Sequence, residues 1–427
     1  TGSGSLTGTF NWTGGTISGG TTNIAAGSTL RISGTAIKSL SSDTINNAGT
    51  VIWGGTGDIS GGNGAVINNQ ANGIFDVQSN ETFSWTLLGS SPTFNNMGTL
   101  RKTASAGTAT FSGVTFNNAG TVEAQSGTIS FSSGVTNNGI FDAASGTTVN
   151  FAGSSTFSNG TAFTGAGVNR VTGGSVAISG TITSTNFEFA GGTLTGSGSL
   201  TGTFNWTGGT ISGGTTNIAA GSTLRISGTA IKSLSSDTIN NAGTVIWGGT
   251  GDISGGNGAV INNQANGIFD VQSNETFSWT LLGSSPTFNN MGTLRKTASA
   301  GTTTFSGVTF NNAGTVEARS GTLSLSNYSQ TGGAIILVGG NITSGTTLNI
   351  QGGILTGVGT VTANVLNAGR VSVGLSPGTL AISGSYSQTS TGVLDIEIGG
   401  LSAGLFDKLT ISGSATLAGT LNITLIN

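Results

Sequence analysis

The amino-acid sequence predicts an all-β protein, a right-handed parallel β-solenoid (β-helix) of about 19 coils. Three observations predict this fold: a repeat of very long period, a shorter period marked by Asn-Asn dipeptides, and alternation of apolar and polar residues between those dipeptides. Coil lengths of roughly 19 to 25 residues favour a parallel β-helix with variable corners over a strict hexapeptide helix.

In the longest repeat, the sequence of residues 1–128 recurs at residues 195–322, which is 194 positions later. The two copies differ at two positions: Ala109 of the first copy corresponds to Thr303 of the second, and Gln125 corresponds to Arg319. Tandem units of this kind are typical of solenoids, in which each unit contacts its neighbours. We therefore predict three parts: a first solenoid unit over 1–194 with a truncated start, a second unit over 195–351, and a C-terminal solenoid or capping segment over 352–427.

A shorter period lies inside each long unit, where Asn-Asn dipeptides are followed by a glycine and an apolar segment. The corner glycines are spaced by 24, 25, 22 and 19 residues; they are Gly49, Gly73, Gly98, Gly120 and Gly139. Because Asn and Gly tolerate the left-handed backbone conformation, we expect them to form tight corners. The segments between the corners alternate with a period of two, which indicates short strands.

Alignment on the corner glycines gives the coils a common register. In these five coils the second residue after the glycine is apolar; the residues are Val51, Phe75, Leu100, Val122 and Phe141. Successive side chains of a strand point to opposite faces, so these residues should form one interior column. The second copy repeats the column with Phe269, Leu294 and Val316.

The next position along each strand predicts a ladder of alternating charge on the exterior. Coils stacked about 4.8 Å apart would place Arg101 between Asp76 and Glu123. The second copy repeats this ladder with Asp270, Arg295 and Glu317. We interpret it as a hydrated stack of salt bridges, each stabilising by about 1 kcal/mol or less. A ligand site in the same column is the alternative.

The composition excludes several classes of function. The 427-residue chain has no Cys and no His, so it has no thiol nucleophile, disulfide, imidazole base or zinc-finger cluster. Charged residues make up 6% of the chain and the net charge is -3, so nucleic acid is not an expected partner. The sequence contains no transmembrane segment and no basic leader before an apolar run.

Two acidic patterns are candidates for a cation site. Residues 54–58 (GGTGD), with their copy at 248–252, are similar to calcium-binding nonapeptides, but the Asp comes one residue early and no second motif follows. A Gly-rich corner is the favoured interpretation. Asp395 and Glu397 share one strand face and are a candidate for a divalent cation, with a solvated outer face as the favoured interpretation.

Aromatic and threonine residues supply further candidates. Trp12, Trp53 and Trp85 are either a sugar-stacking platform on the exterior or partly buried packing residues. Thr147 and Thr148 suggest ice binding, which unequal coil lengths disfavour. Carboxylates are scattered along the chain, whereas general acid-base catalysis needs them clustered. We therefore predict no enzymatic activity, no cofactor, and no catalytic, cofactor-binding or metal-binding residues.

The C-terminal segment contains phrases of a known type. They are GGILTGVGTV at 352–361, LNAGRV at 366–371, GLSPGTL at 374–380, YSQ at 386–388, LDIEIG at 394–399, FDKL at 406–409 and ATLAGTL at 415–421. In these phrases the segment resembles the closing part of bacterial autotransporter-type passengers. The upstream coils are similar in style to such passengers and to filamentous-haemagglutinin-like adhesins. The resemblance implies a secreted β-helix at the bacterial surface, without catalytic residues.

The sequence predicts a non-catalytic extracellular structural protein, in which copies join head to tail into filaments or surface or matrix fibres. Whole added units lengthen a solenoid without changing its cross-section, which suits such a role. The first alternative is a surface adhesin that binds glycans or a cell surface, and the second is a polysaccharide-degrading β-helix enzyme. An exposed Trp row would favour the adhesin, clustered carboxylates the enzyme, and complementary uncovered ends the filament.

Overall fold

The structure, a computed structural model, describes residues 2–86, 88–280 and 282–426. The chain divides into two compact units, Thr1–Asn205 and Trp206–Asn427. Both are parallel β-solenoids, and together they contain about 19 coils. The described residues include no helix, and so none that is long and apolar enough to cross a membrane. The all-β parallel β-solenoid predicted from the sequence is confirmed.

The strands of the first unit are short, except for two strands of 15 and 14 residues at its end, the second of which ends at Trp206, the first residue of the second unit. They are β1 (Gly4–Leu6), β2 (Thr9–Trp12), β3 (Gly15–Ser18), β4 (Thr21–Ile24), β5 (Thr29–Ile32), β6 (Lys38–Ser41), β7 (Thr44–Asn47), β8 (Thr50–Trp53), β9 (Ile59–Gly62), β10 (Val66–Asn69), β11 (Ile74–Val77), β12 (Thr82–Trp85), β13 (Thr93–Asn96), β14 (Thr99–Lys102), β15 (Thr108–Ser112), β16 (Thr115–Asn118), β17 (Thr121–Ala124), β18 (Thr128–Phe131), β19 (Val135–Asn137), β20 (Ile140–Ala143), β21 (Thr148–Phe151), β22 (Ser155–Phe157), β23 (Ala162–Thr164), β24 (Val168–Val171), β25 (Ser175–Phe189) and β26 (Thr193–Trp206).

The second unit repeats this pattern of short strands. They are β27 (Gly209–Ile218), β28 (Thr223–Ile226), β29 (Lys232–Ser235), β30 (Thr238–Asn241), β31 (Thr244–Trp247), β32 (Ile253–Gly256), β33 (Val260–Asn263), β34 (Ile268–Val271), β35 (Thr276–Trp279), β36 (Thr287–Asn290), β37 (Thr293–Lys296), β38 (Thr302–Ser306), β39 (Thr309–Asn312), β40 (Thr315–Ala318), β41 (Thr322–Leu325), β42 (Tyr328–Gln330), β43 (Ala334–Val338), β44 (Asn341–Thr343), β45 (Leu348–Ile350), β46 (Ile354–Thr362), β47 (Val365–Asn367), β48 (Arg370–Val373), β49 (Thr379–Ile382), β50 (Tyr386–Gln388), β51 (Val393–Ile398), β52 (Lys408–Ile411), β53 (Ala415–Thr416) and β54 (Thr420–Leu425).

A typical coil has three strands, because most of the short strands pair in parallel with the third strand after them. In the first unit β10 pairs with β13, β11 with β14 and β12 with β15. In the second unit β33, β34 and β35 pair in the same way with β36, β37 and β38. Offsets between stacked residues run from 16 (Ile354 to Arg370) to 29 (Thr379 to Lys408). This range is wider than predicted, because corner insertions lengthen single coils.

The predicted interior column is confirmed in both units. Phe75 stands opposite Leu100, Leu100 opposite Val122, and Val122 opposite Phe141. These four side chains are at most 1% exposed. The second unit repeats the column with the buried residues Phe269, Leu294 and Val316. The alternation along each strand therefore correctly identified the residues that form the core.

The Asn-Asn corners differ from the sequence-based expectation in their backbone. We expected left-handed conformations, yet Gly98, Gly120 and Gly139 lie outside that range of φ. Glycine is needed there because of close approach: a Cβ atom on Gly120 would lie 2.1 Å from the Gly98 carbonyl oxygen. Stacked coils come so near to each other at this corner that a side chain has no room.

Candidate functional site: polar ladders, buried charges and surface grooves

An outer ladder of asparagine side chains follows the corner of the first unit. Asn68 donates from Nδ2 to Oδ1 of Asn46, Asn95 to Asn68, and Asn117 to Asn95, at 2.9, 2.8 and 2.8 Å. The second unit repeats these bonds with Asn240, Asn262, Asn289 and Asn311. Asparagine serves here because its amide is both donor and acceptor, so identical residues link in series.

An inner asparagine ladder lies one residue further along the same strands. Asn69, Asn96 and Asn118 are at most 2% exposed. Asn69 donates to Oδ1 of Asn96, and Asn96 to Oδ1 of Asn118, at 2.8 and 2.7 Å. Asn96 also donates to the carbonyl oxygen of Thr121 at 3.0 Å, which ties the corner to the next coil. Sequence reasoning treated these dipeptides as turn residues and missed both ladders.

The charge ladder has the predicted order but not the predicted exposure. Asp76, Arg101 and Glu123 occupy stacked positions, and Arg101 Nη2 lies 3.5 Å from Asp76 Oδ2. Asp76, however, is only 4% exposed. Its Oδ1 accepts a 2.6 Å hydrogen bond from Thr103 Oγ1, and its Oδ2 a 3.1 Å bond from Gln78 Nε2. The expectation of a fully hydrated ladder is therefore wrong, because neighbouring polar side chains cover this carboxylate.

The second copy shows how one substitution modifies this ladder. Gln125 donates to Glu123 Oε2 at 2.7 Å in the first unit. In the second unit Arg319 replaces the glutamine, and its Nε lies 2.9 Å from Glu317 Oε1. An ion pair at the surface therefore replaces a neutral hydrogen-bond donor. Its expected contribution to stability is small, since water and salt screen an exposed arginine.

Replacing Arg101 with Asp should lower the free energy of unfolding by about 2 kcal/mol, more than for an exposed pair. The new carboxylate would face Asp76, which is 4% exposed and therefore poorly hydrated. Chemical denaturation in low and high salt measures the loss, and we expect most of it to persist in high salt. Arg319→Gln is the control and should change stability little, because the Arg319 side chain is exposed to water and salt. Equal and salt-suppressible losses in both variants would contradict the burial of Asp76.

Lys102 lies inside the first unit, a feature that the sequence analysis did not identify. It is 0% exposed. Its Nζ lies 2.9, 2.7 and 2.8 Å from the carbonyl oxygens of Ser79, Ala104 and Ser105 and 3.0 Å from Asn80 Oδ1, so its three N–H groups are shared among four acceptors. Burial lowers the pKa of the Lys102 ammonium below its usual value. The buried ammonium thus joins two corner segments through hydrogen bonds to oxygens of both.

A signal for Lys102 was present in the sequence. It directly follows the outward Arg101, so alternation turns it inward, between Val77 and Ala124 of the neighbouring coils. In the second copy Lys296 Nζ donates to the Ser273 carbonyl oxygen at 2.7 Å and to Thr303 Oγ1 at 3.1 Å. The Ala109 to Thr303 substitution thus supplies an additional acceptor to a buried ammonium.

The GGTGD corner at 54–58 also has a lysine beneath it. Lys38 is 0% exposed, and its Nζ donates to the carbonyl oxygens of Gly34 and Gly57 at 3.2 and 3.3 Å. Burial lowers the pKa of Lys38, and the charges of Glu81 and Asp58 oppose that shift. Asp58 Oδ1 accepts the Thr82 amide at 2.8 Å. The carboxylate that suggested calcium binding is thus hydrogen-bonded to the backbone.

The carboxylates of Asp395 and Asp407 bond to neighbouring groups, whereas Glu397 Oε2 is buried without a hydrogen-bond partner. Asp395 forms an ion pair with Arg370 and accepts Asn422 Nδ2 at 2.9 Å. Asp407 Oδ2 accepts the backbone amide of Glu397 at 2.8 Å. Across residues 2–86, 88–280 and 282–426, no group of three or more His, Cys, Asp or Glu side chains could hold a metal ion.

The proposed tryptophan platform is wrong for two of its three members. Trp12 and Trp53 are 7% and 0% exposed, so they belong to the core, and Trp85 alone is half-buried. Trp53 turns inward because it lies two residues after the interior Val51. Thr147 is likewise buried and donates to the Ala124 carbonyl oxygen at 2.6 Å, so it does not share a flat outer face with its neighbour.

Asp237 in the second unit should make stability depend on pH. It is 2% exposed, and burial raises the pKa of its carboxyl to about 6, although nearby Gly214 and Thr216 partly oppose the shift. The folded state therefore holds this proton more strongly than the unfolded state does. Its favourable contribution is complete below the unfolded pKa, near 4, and is lost as the pH rises through about 6.

Asp237→Asn should consequently raise the free energy of unfolding at pH 8 by up to about 3 kcal/mol, with no comparable gain at pH 3.5. The amide has a similar shape and carries no charge to bury. Urea denaturation of both proteins at the two pH values measures the difference. The same effect at both pH values would show that titration of Asp237 is not its cause.

A groove runs beside the outer asparagine ladder in each unit. The first has a volume of about 430 Å³, and its lining includes Asn68, Asn95, Met97, Asn117, Ala119 and Thr136. The second has a volume of about 270 Å³, and its lining includes Asn262, Asn289, Met291, Asn311 and Ala313. We call them the first and second asparagine grooves. They are amide-lined surface sites that recur with the repeat.

These features define the chain as a parallel β-solenoid protein with hydrogen-bonded side-chain ladders. Comparisons with protein-family profiles, with curated proteins and with solved structures find no match to it. The resemblance to autotransporter-type passengers therefore rests on the phrases within 352–427.

Proposed function

We propose that this protein is a non-catalytic extracellular structural protein whose copies assemble head to tail into filaments or surface or matrix fibres. The observation that carries this proposal is the equivalence of the repeated coils. The interior column and the charge ladder recur in each unit with the same partners, and Arg101 and Arg295 lie 3.5 and 3.3 Å from their aspartates. A coil of this sequence therefore stacks on its neighbours in the same way each time it occurs.

The coil of residues 408–425 supports assembly through its uncovered face. Leu421 stands opposite the buried Leu394 in the interior column, yet Leu421 is 56% exposed and Leu425 is 81% exposed. An apolar column left uncovered favours the addition of a further coil, since burial of each leucine contributes about 1.5–3 kcal/mol. In the proposed filament, a coil of a second copy of the chain would cover this column.

The coil of residues 4–18 supplies the complementary face. Phe10 is 38% exposed, whereas its counterpart Phe204 in the second copy of the repeat is 3% exposed. Phe204 packs against Phe187 of the preceding coil, with ring centroids 5.7 Å apart. The repeated segment thus accepts a covering coil where one precedes it, at Phe204. A coil from a second molecule of the chain would bury Phe10 in the same way.

The carboxylates support a structural role over the polysaccharide-degrading alternative, because several of them already have structural partners. Asp76 accepts a hydrogen bond from the Thr103 hydroxyl, and Asp58 accepts one from the Thr82 amide. Asp395 forms an ion pair with Arg370. A general acid or base needs a carboxyl group directed at substrate. The extracellular location follows from the resemblance of residues 352–427 to secreted passengers and is part of this proposal.

Electron microscopy and light scattering of the purified chain over a range of concentrations test assembly. We expect filaments whose length grows with concentration and does not respond to a chelator. Leu421→Asp should shorten them severely, whereas Leu401→Asp, at a fully exposed leucine in a loop, should not. Thermal melting verifies that both variants fold. A monomer at every concentration, or equal assembly by the two variants, would refute the proposal.

A further inference from the structure

We propose that the two asparagine grooves are binding sites for neutral glycans. This inference is independent of head-to-tail assembly, since the grooves lie along the sides of the coils. Each groove combines a row of side-chain amides with an exposed methionine and alanine. Binding of a sugar chain needs paired donors and acceptors for hydroxyl groups and an apolar surface for its C–H faces, and both are present.

The outer ladder leaves hydrogen-bonding capacity for a ligand. An asparagine amide has two N–H donors and a carbonyl oxygen with two lone pairs. The bonds from Asn117 to Asn95 and from Asn95 to Asn68 use one N–H of each donor and one lone pair of each acceptor. The remaining N–H and lone pair on the half-buried Asn95 can bond to a hydroxyl, which is itself donor and acceptor.

The spacing of these amides suits an elongated chain. Stacked coils repeat about every 4.8 Å, which is close to the length of one sugar ring in a linear polysaccharide. The first asparagine groove extends over the coils of Asn68, Asn95, Asn117 and Thr136, a span of roughly 14 Å. A segment of about three sugars would therefore place one ring beside each step of the ladder.

The apolar part of each groove is a methionine whose side chain is not packed in the core. Met97 is 50% exposed and Met291 is 51% exposed. They are the two methionines of the whole chain, at equivalent positions of the two copies. Each lies at the corner directly after the inner asparagine, beside the row of amides. An adaptable thioether side chain in this position offers contact area to a sugar ring.

The uncharged lining of the two grooves favours a neutral ligand. The residues lining them within the described part of the chain are Asn, Met, Ala, Thr and Ser, with no charged side chain. An acidic glycan or a nucleic acid would need cations that the lining does not supply. A peptide strand would need a free backbone edge, whereas the strands bordering the first groove pair on both sides.

A neighbouring groove extends the first site. It has a volume of about 540 Å³ and contains Trp85, Thr115 and Ser133, and it shares Thr136 with the first asparagine groove. Trp85 is the half-buried tryptophan of the platform considered from the sequence. An aromatic ring with adjacent hydroxyl groups is a further surface for sugar stacking. We therefore expect the first groove to bind longer oligosaccharides than the second.

Isothermal titration calorimetry of the full chain tests the inference. The probes are linear neutral oligosaccharides of one to six sugars, in β-glucan, mannan and chitin series, with an acidic oligosaccharide and a strand-forming peptide as comparisons. We expect a neutral series to bind at two sites per chain, with affinity that rises with length and changes little with salt. Tighter binding of the acidic glycan or of the peptide would overturn the proposal, and so would the absence of binding by every neutral series.

Matched variants locate the sites. Met97→Asp should weaken the first site by at least about tenfold and leave the second unchanged, and Met291→Asp should do the reverse. Leu88→Asp is the control, because Leu88 is a 65% exposed apolar residue of the same unit outside the groove lining. Thermal melting checks that all three variants fold. Unchanged affinity in both methionine variants, or an equal loss in the control, would place the binding elsewhere and refute the assignment.

Discussion

Replacing Phe141 with alanine should lower the free energy of unfolding of the surrounding coils by about 3–5 kcal/mol. Phe141 is 0% exposed. Its ring centroid lies 4.8 Å from that of Phe151, 5.9 Å from Phe131 and 6.0 Å from Phe163. The truncation removes contacts with rings of three neighbouring strands and leaves a cavity, because stacked coils cannot collapse into the space independently.

Hydrogen exchange over residues 121–163 measures this loss, since a solenoid opens locally and a single global transition would average it out. Ile140→Ala is the matched control: Ile140 precedes Phe141 in the same strand and is 39% exposed. We expect the control to change local stability by about 0.5 kcal/mol or less. Similar losses in the two variants would show that Phe141 does not lie in the interior column.

Replacing Lys102 with methionine should lower the free energy of unfolding by about 3 kcal/mol. Three carbonyl oxygens and Asn80 Oδ1 accept hydrogen bonds from its Nζ. A buried acceptor without its donor costs about 1–3 kcal/mol, and release of the ammonium from its buried site offsets part of the sum. Methionine has a similar length, so the change tests the hydrogen bonds more than the packing.

The pH dependence separates the charge of Lys102 from its bulk. Because burial lowers its pKa, the folded state releases this proton more readily than the unfolded state does. Stability should therefore rise as the pH increases from the lowered pKa towards the ordinary lysine value, and Lys102→Met should lose that rise. Denaturation at pH 7 and pH 10 measures it. Lys408→Met, at an exposed lysine, is the control and should be nearly neutral.

The sequence alone was sufficient for the fold class and for the interior column. Alternation with a period of two assigns Leu100 and Val122 to one face of their strands, and the repeat spacing pairs them across coils. Both properties belong to the covalent chain, because side-chain direction follows directly from strand geometry. The corner residues were also located correctly, although the reason for glycine there was not.

The tertiary structure alone decided which polar groups are exposed. Asp76 and Glu123 have equivalent positions in their strands, yet Asp76 is buried by Thr103 and Gln78. Two of the four acceptors of Lys102, the Ser79 carbonyl oxygen and Asn80 Oδ1, lie in a corner 23 and 22 residues earlier in the chain. Strand alternation determines the face on which a side chain lies. Its access to water depends instead on how corners of unequal length fold over that face, and those contacts join residues distant in sequence.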